Sequence, residues 1–477
     1  MQLSSEVLPD AESPHTLLPW HVAAIICNYN KVDYVKKCIH SLQKQTFPVA
    51  AIYLVDNAST DGTPHIIQNL FGDEVRILSL SRNLGGAGGF NAGLREAERL
   101  GYHAYLLLDN DVVLQKDTVA QLVTQMQRHP RLGIEGCNIL KMDAPDTIQE
   151  FAPMLDTAHV NFILRYRGEC ASSADLPLLS ACDYTAACAL MIRAETLAEI
   201  GRIPEKNFIY YDDIEWCALA REAGWSVAAN ANAKVWHKGG ATMQKTTFSV
   251  YYMNRNKTEF FMKYFPGLVP GSAEETRAIK DRAEAILMDL FQGCWVCGRQ
   301  GQENVRLTRI DAFLDALEGK HGAATPYEIR PHENTYFHRF EKEFSQYKSI
   351  AFFMNGHIPA TRNVLDALAR IEQDRGIPFS VTLVDAALAA KGMRLCGNAV
   401  SPCLPEERHY DAIFHVCPHI YGLAAPAVDT SYVDGWRNLL MSAEDREDFC
   451  AFHKGYKVFH ALFFERLMEK MKEIRRL

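Results

Sequence analysis

The chain has 477 residues, 48% hydrophobic and 23% charged, with a net charge of −8. This is the composition of an ordinary globular protein of two to three domains, and it excludes a chain that holds nucleic acid through bulk positive charge. Thirteen cysteines without framework spacing, an N-terminus ("MQLSSEVLPDAESPHTLLPW") with no basic stretch leading into an apolar one, and no apolar run of the ~18 residues a membrane span needs point to a cytoplasmic protein with reduced thiols.

The first elements alternate. "HVAAIICNYN" (21–30) reads as a buried strand ending in polar residues. In the next segment Val35, Cys38, Ile39 and Leu42 form one helical stripe. "AIYLVDNASTDG" (51–62) is a second strand running into a polar turn, and "TPHIIQNLF" a short helix with proline at its start. "VRILSLSRN" (75–83) is a third strand, followed by a glycine-rich turn and a helix around "NAGLREAERLG". "HAYLLLDND" is the fourth strand and "KDTVAQLVTQMQ" the helix after it. Successive β-α units rich in Val, Ile and Leu imply a parallel sheet covered on both faces, with ligands bound beyond the carboxyl ends of its strands. Those ends carry Asn28, Asp56 with Asn57, Arg82 with Asn83, and Asp109 with Asp111.

"LLLDNDVVL" (106–114) places two carboxylates at the end of a buried strand. Two residues apart in extended backbone, Asp109 and Asp111 point the same way and repel unless a cation lies between them. Oxygen ligands suit Mg²⁺ or Mn²⁺, shared with substrate phosphates. The plain alternative is a turn or a solvated strand end. "LGGAGGFNAG" spells neither the dinucleotide fingerprint nor a P-loop; its glycines serve close backbone approach or tight turning.

"AAIICNYNKVDYVKKCIHSLQKQTFP", "IYLVDNASTDGT", "SRNLGGAGGFNAGL" and "LLLDNDVVL" together resemble successive motifs of the family 2 glycosyltransferases, and later stretches resemble their galactofuranosyl- and rhamnosyltransferase branch. The resemblance covers residues 21–265 and implies the GT-A fold, an α/β architecture with a mostly parallel central sheet flanked by helices. It implies an inverting enzyme with a nucleotide-diphosphate sugar (UDP- or dTDP-linked) as donor. Asp56 would accept a hydrogen bond from the nucleotide base, although an Asx-turn ahead of "ASTDGT" explains it equally well. Asn28, Arg82, Asn83, Asp109 and Asn110 would complete the donor site. Asp61 reads as a turn or helix-cap residue.

In "NFIYYDDIEWCALAREAG" a helix begins near Asp212, and Asp212 with Glu215 has capping-box spacing. Inverting transfer needs a base for the acceptor hydroxyl. In the resembling family that base is the second acid of such a pair, here Asp213 beside Asp212. A helix N-terminus lowers its basicity while burial near Tyr210, Tyr211 and Trp216 raises it. By resemblance His237, in "VWHKGG", completes a metal site with Asp109 and Asp111 for Mn²⁺ or Mg²⁺. By the same resemblance Arg255 and Asn256, in "YYMNRN", face substrate phosphate; the plain alternative is a buried helix arginine paired with an acid.

Beyond this region residues 266–320 read as helical, with Cys294 and Cys297 as ordinary packing residues. Residues 321–346 read as a linker, and 347–477 as a second, smaller α/β module ending in an amphipathic helix. Residues 1–20 form an N-terminal extension and 21–265 the GT-A domain. The implied acceptor is a glycan or lipid-linked glycan of the cell envelope, with peripheral contact at the inner face of the membrane and no nucleic acid partner. The rival readings are a sugar nucleotidyltransferase, which wants a glycine-rich basic loop after the first strand, and a non-catalytic nucleotide-sugar binder, which needs no base.

Overall fold

The computed structural model describes residues 20–172, 174–239, 246–325, 327–333, 338–376, 378–406 and 408–476. All of the expected N-terminal extension except Trp20 lies outside the described residues. The chain divides into two compact units, one of Met1–Ile286, Leu307–His332 and Met468–Leu477, the other of Leu287–Arg306 and Glu333–Leu467.

The first unit opens with β1 (Val22–Asn28), α1 (Val32–Gln43), β2 (Ala51–Asp56), α2 (Thr63–Phe71), β3 (Val75–Ser79), α3 (Gly85–Glu98) and β4 (Ala104–Asp109). The four strands pair in parallel in the order β3-β2-β1-β4. Val22 to Ile26 are fully buried, as a strand must be when helices cover both faces. α1 buries Val35, Cys38, Ile39 and Leu42, the stripe read from the sequence.

The glycine-rich segment is a helix rather than a turn. α3 starts at Gly85 and runs through Gly86, Gly88, Gly89 and Gly93. A Cβ on Gly89 would collide with Cys27 Sγ, and one on Gly93 with Ile25 Cγ2. Glycine therefore lets α3 lie directly against β1, and that close packing outweighs its poor helix propensity.

After β4 come β5 (Val112–Leu114), α4 (Thr118–Arg128), β6 (Leu132–Lys141), β7 (Ile148–Glu150), the hairpin β8 (Met154–Asp156) and β9 (Asn161–Ile163), β10 (Leu179–Ala181), β11 (Ala189–Arg193), α5 (Ala194–Ile200), α6 (Asp212–Glu222) and β12 (Ser226–His237). The main sheet reads β10-β12-β6-β11-β4-β1-β2-β3. β11 runs antiparallel to both β4 and β6, while β12 runs parallel to β6 and pairs antiparallel with β5 at its far end. Helices α7 (Phe248–Lys263), α8 (Ala273–Arg299) and α9 (Glu303–Glu318) follow.

Part of the expected linker is packed structure. The Tyr252 hydroxyl accepts the Ala324 N–H at 2.7 Å, and the Gly322 carbonyl accepts from Arg255 at 2.9 Å. In the second unit, α10 (His338–Phe344) buries Phe340 and Phe344 in that unit's core. The second unit continues with β13 (Ser349–Phe353), α11 (Ile358–Arg375), β14 (Ser380–Val384), α12 (Ala386–Ala389), β15 (Arg394–Leu395), β16 (Asn398–Ser401), β17 (Ala412–Cys417), β18 (Tyr432–Asp434), β19 (Leu439–Leu440) and, as far as Leu467, α13 (Ala443–Arg476). Its strands β16-β14-β13-β17-β18 form a parallel centre, with β15 and β19 antiparallel at the edges. Cys297 is buried in the same unit. Among the described residues no helix is long and apolar enough to cross a membrane.

Candidate active site

The carboxyl ends of β1 and β4 are adjacent, where the strand order reverses, and a crevice is expected there. A cavity of about 780 Å³ opens at that place and is lined by Asp109, Asn110, Asp111, Asp212, Asp213 and His237, among others.

Register brings the imidazole to the two acids. His237, the last residue of β12, sits opposite Val112 of β5 and Lys141 of β6, and β5 is the strand that follows the Asp109–Asp111 turn. Its Nε2 lies 3.2 Å from Asp111 Oδ1 and 3.8 Å from Asp109 Oδ2. One ligand atom from each of the three residues falls within 4.8 Å of the others. Two carboxylates and an imidazole converging at this separation are a donor set that fits one Mn²⁺, or Mg²⁺ with more water in its shell.

The charges around this cluster are strongly perturbed. Burial and the charge of Asp111 push the Asp109 carboxyl up, to about 6, although its side chain keeps 43% of its surface open. Burial also works against ionised Asp111, but the His237 hydrogen bond and charge and the Lys31 ammonium at 2.9 Å outweigh it and hold Asp111 down at about 2. Burial pulls His237 down, yet the hydrogen bond to Asp111 and the charges of both aspartates keep it above its ordinary value. His237 Nδ1 faces the Gln149 side-chain amide at 3.0 Å, which orients the ring.

Three of the expected donor residues, Asn28, Asp56 and Asn110, are joined by side-chain hydrogen bonds. Asp56 accepts from Asn28 Nδ2 at 3.2 Å and from the N–H of Ser59, three residues on, at 3.1 Å. Asn28 is fully buried, and its Oδ1 accepts Asn110 Nδ2 at 2.8 Å. The resulting chain of side chains locks the ends of β1, β2 and β4 together, and neither Asn28 nor Asp56 lines the cavity. Arg82 is exposed and is likewise not a lining residue. Asn83 does line it, and its Oδ1 accepts the Gly85 N–H at 2.8 Å. Asp61 accepts the N–H of Thr63 and of Val32, each at 3.1 Å, tying the starts of α1 and α2.

Asp212 and Asp213 occupy the first turn of α6. The expected capping box is not formed. The N-cap is Tyr211, in left-handed backbone at φ 64 with no side-chain cap, and Glu215 instead accepts Asn207 Nδ2 at 2.9 Å. Phe208 and Tyr210 are also left-handed, at φ 65 and 63. Such strain persists only where the surroundings impose it. Asn256 Nδ2 donates to the carbonyls of Asn207, Ile209 and Tyr210, and Arg255 donates to those of Asn207 and Gly322. Arg255 and Asn256 are thus buried clamps on the loop that presents the acids. Neither lines the cavity, and Arg255 pairs with carbonyls where an acid was expected.

Asp213 Oδ2 accepts the Ala187 N–H at 3.0 Å. Burial still dominates, so the Asp213 carboxyl lies above its ordinary value despite the backbone N–H groups. Burial and the Asp213 charge raise Asp212 further. Sequence reasoning missed Lys31, Gln149 and Glu150, which also line the cavity. Lys31 follows the polar end of the first strand and was legible in principle. Gln149 and Glu150 lie on a three-residue strand with no periodicity to read. Burial and the charge of Asp213 raise the Glu150 carboxyl to about 7.

Residues 23–191 match the family model described as Glycosyl transferase family 2. The chain carries a family 2 glycosyltransferase domain. Relatives of this chain include TuaG of Bacillus subtilis, a glycosyltransferase named for teichuronic acid biosynthesis, at 31% identity over 26% of this chain and 48% of that protein. Another is the N-acetylglucosaminyl-diphospho-decaprenol L-rhamnosyltransferase of Mycobacterium tuberculosis, at 23% identity over 45% of this chain and 74% of that one. The chain thus spans about half the length of the first relative. Among solved structures, that of S. aureus TarS residues 1–349 overlays with a TM-score of 0.42 and 16% identity, covering 62% of this chain and 80% of that chain.

Proposed function

We propose that this glycosyltransferase is metal-dependent and inverting, moving a sugar from a nucleotide-diphosphate donor, UDP- or dTDP-linked, to a hydroxyl of a glycan or lipid-linked glycan in cell-envelope polysaccharide synthesis. It would work in the cytoplasm, in peripheral contact with the inner face of the cell membrane. Asp109, Asp111 and His237 would hold Mn²⁺ or Mg²⁺. When bound, the ion supplies Lewis-acid stabilisation for the departing diphosphate. Lys31, at 2.9 Å from Asp111, adds a second positive charge beside that group. Asp213 takes the proton of the acceptor hydroxyl as its oxygen attacks the anomeric carbon from the face opposite the diphosphate, so configuration inverts. A carboxyl raised by burial is a better base for this than a surface aspartate. Asn28, Asp56 and Asn110 hold the strand ends in register, and Asn83 lies at the donor side.

One observation supports this reading above the others: acids from β4 and α6 and an imidazole from β12 open into a single cavity. A non-catalytic binder would have no use for a buried, raised Asp213. The test is thermal stability against a panel of UDP- and dTDP-sugars, with Mn²⁺ and with EDTA. One donor should stabilise the protein only when metal is present. Equal stabilisation in EDTA would overturn the metal assignment, and no response to any donor would overturn the donor assignment.

A further inference from the structure

Glu150 is a polar group in the cavity that the reaction above leaves without a task. It lines the cavity from β7, and its Oε1 is shielded from solvent without a hydrogen-bond partner. A buried carboxylate oxygen left unsatisfied is costly, and a binding site supplies the missing partner when substrate enters. Glu150 sits close enough to Asp213 to feel its charge, and the Tyr184 hydroxyl feels the charges of both. Tyr184 and Phe162 stand next to each other, with ring centroids 5.2 Å apart, and Phe162 reaches Tyr211 at 5.5 Å. All of these side chains line the same cavity.

An aromatic wall bordered by two carboxyl groups is complementary to a sugar ring, which offers an apolar face of C–H bonds and a rim of hydroxyls. We infer that Glu150, with Tyr184 and Phe162, forms the subsite for the acceptor sugar, and that Glu150 binds the hydroxyl next to the one that Asp213 deprotonates. The acceptor is therefore a sugar carrying a free diol at the point of attachment. The ring lies against Tyr184 and Phe162, one hydroxyl meets Asp213, and its neighbour donates the missing hydrogen bond to Glu150 Oε1. A site of this kind discriminates strongly against an acceptor lacking the second hydroxyl, because Glu150 is then buried unpaired. This inference rests on the transferase reading, with Asp213 facing the acceptor.

The experiment uses the full chain with UDP and Mn²⁺ and octyl pyranosides of glucose, galactose, mannose and N-acetylglucosamine as acceptor probes, with binding read by saturation-transfer NMR. The wild-type protein should bind at least one glycoside, and deoxygenation at one position beside the reacting hydroxyl should weaken it at least tenfold. Glu150→Ala should weaken the parent glycoside by a similar factor while losing all discrimination against the deoxy compound, and Glu150→Gln should recover part of it. UDP affinity within about twofold of wild type reports that the variants are folded. Glu150→Ala binding the parent glycoside as wild type does would overturn the inference, as would binding of no glycoside by a wild-type protein that binds UDP. The same assay is run with dTDP if UDP does not bind, and failure to bind either nucleotide with Mn²⁺ would instead strike the transferase reading itself.

Discussion

At Asp213 two influences oppose each other. The start of α6 and the N–H groups of Ala187 and Ile214 favour the ionised carboxylate, whereas burial favours the protonated form, and burial is the larger. Asp213→Asn keeps the shape and removes the basicity. We expect turnover to fall by about 10²- to 10⁴-fold, the usual range for losing a general base, with metal-dependent donor stabilisation intact; steady-state kinetics alongside thermal shift checks both. His237 gives a prediction with a sign. Its partners hold its pKa above the ordinary value, so protons compete with metal for Nε2 over a wider range than at a free histidine. Metal-dependent stabilisation should therefore weaken as pH falls from 8 to 6, and His237→Ala should abolish most of it. A shift that is flat with pH, measured at constant ionic strength, would remove His237 from the ligand set.

Elements of this fold are placed by close contacts that propensity does not foresee. Alanine is the better helix former by about 1 kcal/mol, yet Gly93→Ala should destabilise the protein, because the new methyl has nowhere to go between Ile25 and Val55 Cγ2, the latter at 3.0 Å. Overpacking of this kind costs about 1–3 kcal/mol, so a net loss is expected in a denaturant titration. β6 carries the opposite defect. Glu135 is fully buried, one oxygen accepts Asn230 Nδ2 at 2.8 Å, and the other has no partner. Burial raises its pKa well above the ordinary carboxylate range. The folded protein keeps it protonated where the unfolded chain ionises it, so its contribution is complete below the unfolded pKa and is lost as pH rises through the folded one. Glu135→Gln should therefore raise the melting temperature, by more at pH 8 than at pH 5. A gain independent of pH would mean that Glu135 is not held protonated.

For the whole molecule, binding in the cavity is linked to stability by mass action. A donor at 100 times its Kd adds about 2.7 kcal/mol, and with metal omitted that gain should disappear. The net charge of −8 makes the local positive charge of Lys31 and a bound cation all the more necessary, since the cavity itself gathers Asp109, Asp111, Asp212, Asp213 and Glu150 and would otherwise repel a diphosphate.

The sequence by itself determined the alternating first half, because parallel strands covered on both faces must be apolar runs and the helices between them must carry a stripe; α1 and β1 to β4 follow from that alone. It also marked Asp109 and Asp111, since acids at a strand end are conspicuous locally, whereas Asp213 and His237 were singled out by the family resemblance. Tertiary structure decided what local pattern does not encode. The β12–β5 register carried His237 to two acids more than a hundred positions earlier. Packing against β1 made a helix of the glycine stretch, and hydrogen bonds between strand ends turned Asn28 and Asp56 inward. Arg255 and Asn256 became clamps on a strained loop, and Glu150 reached the cavity from a strand too short to announce itself. Periodicity reports which face of an element is buried, while the partner that buries it is chosen only when distant segments meet.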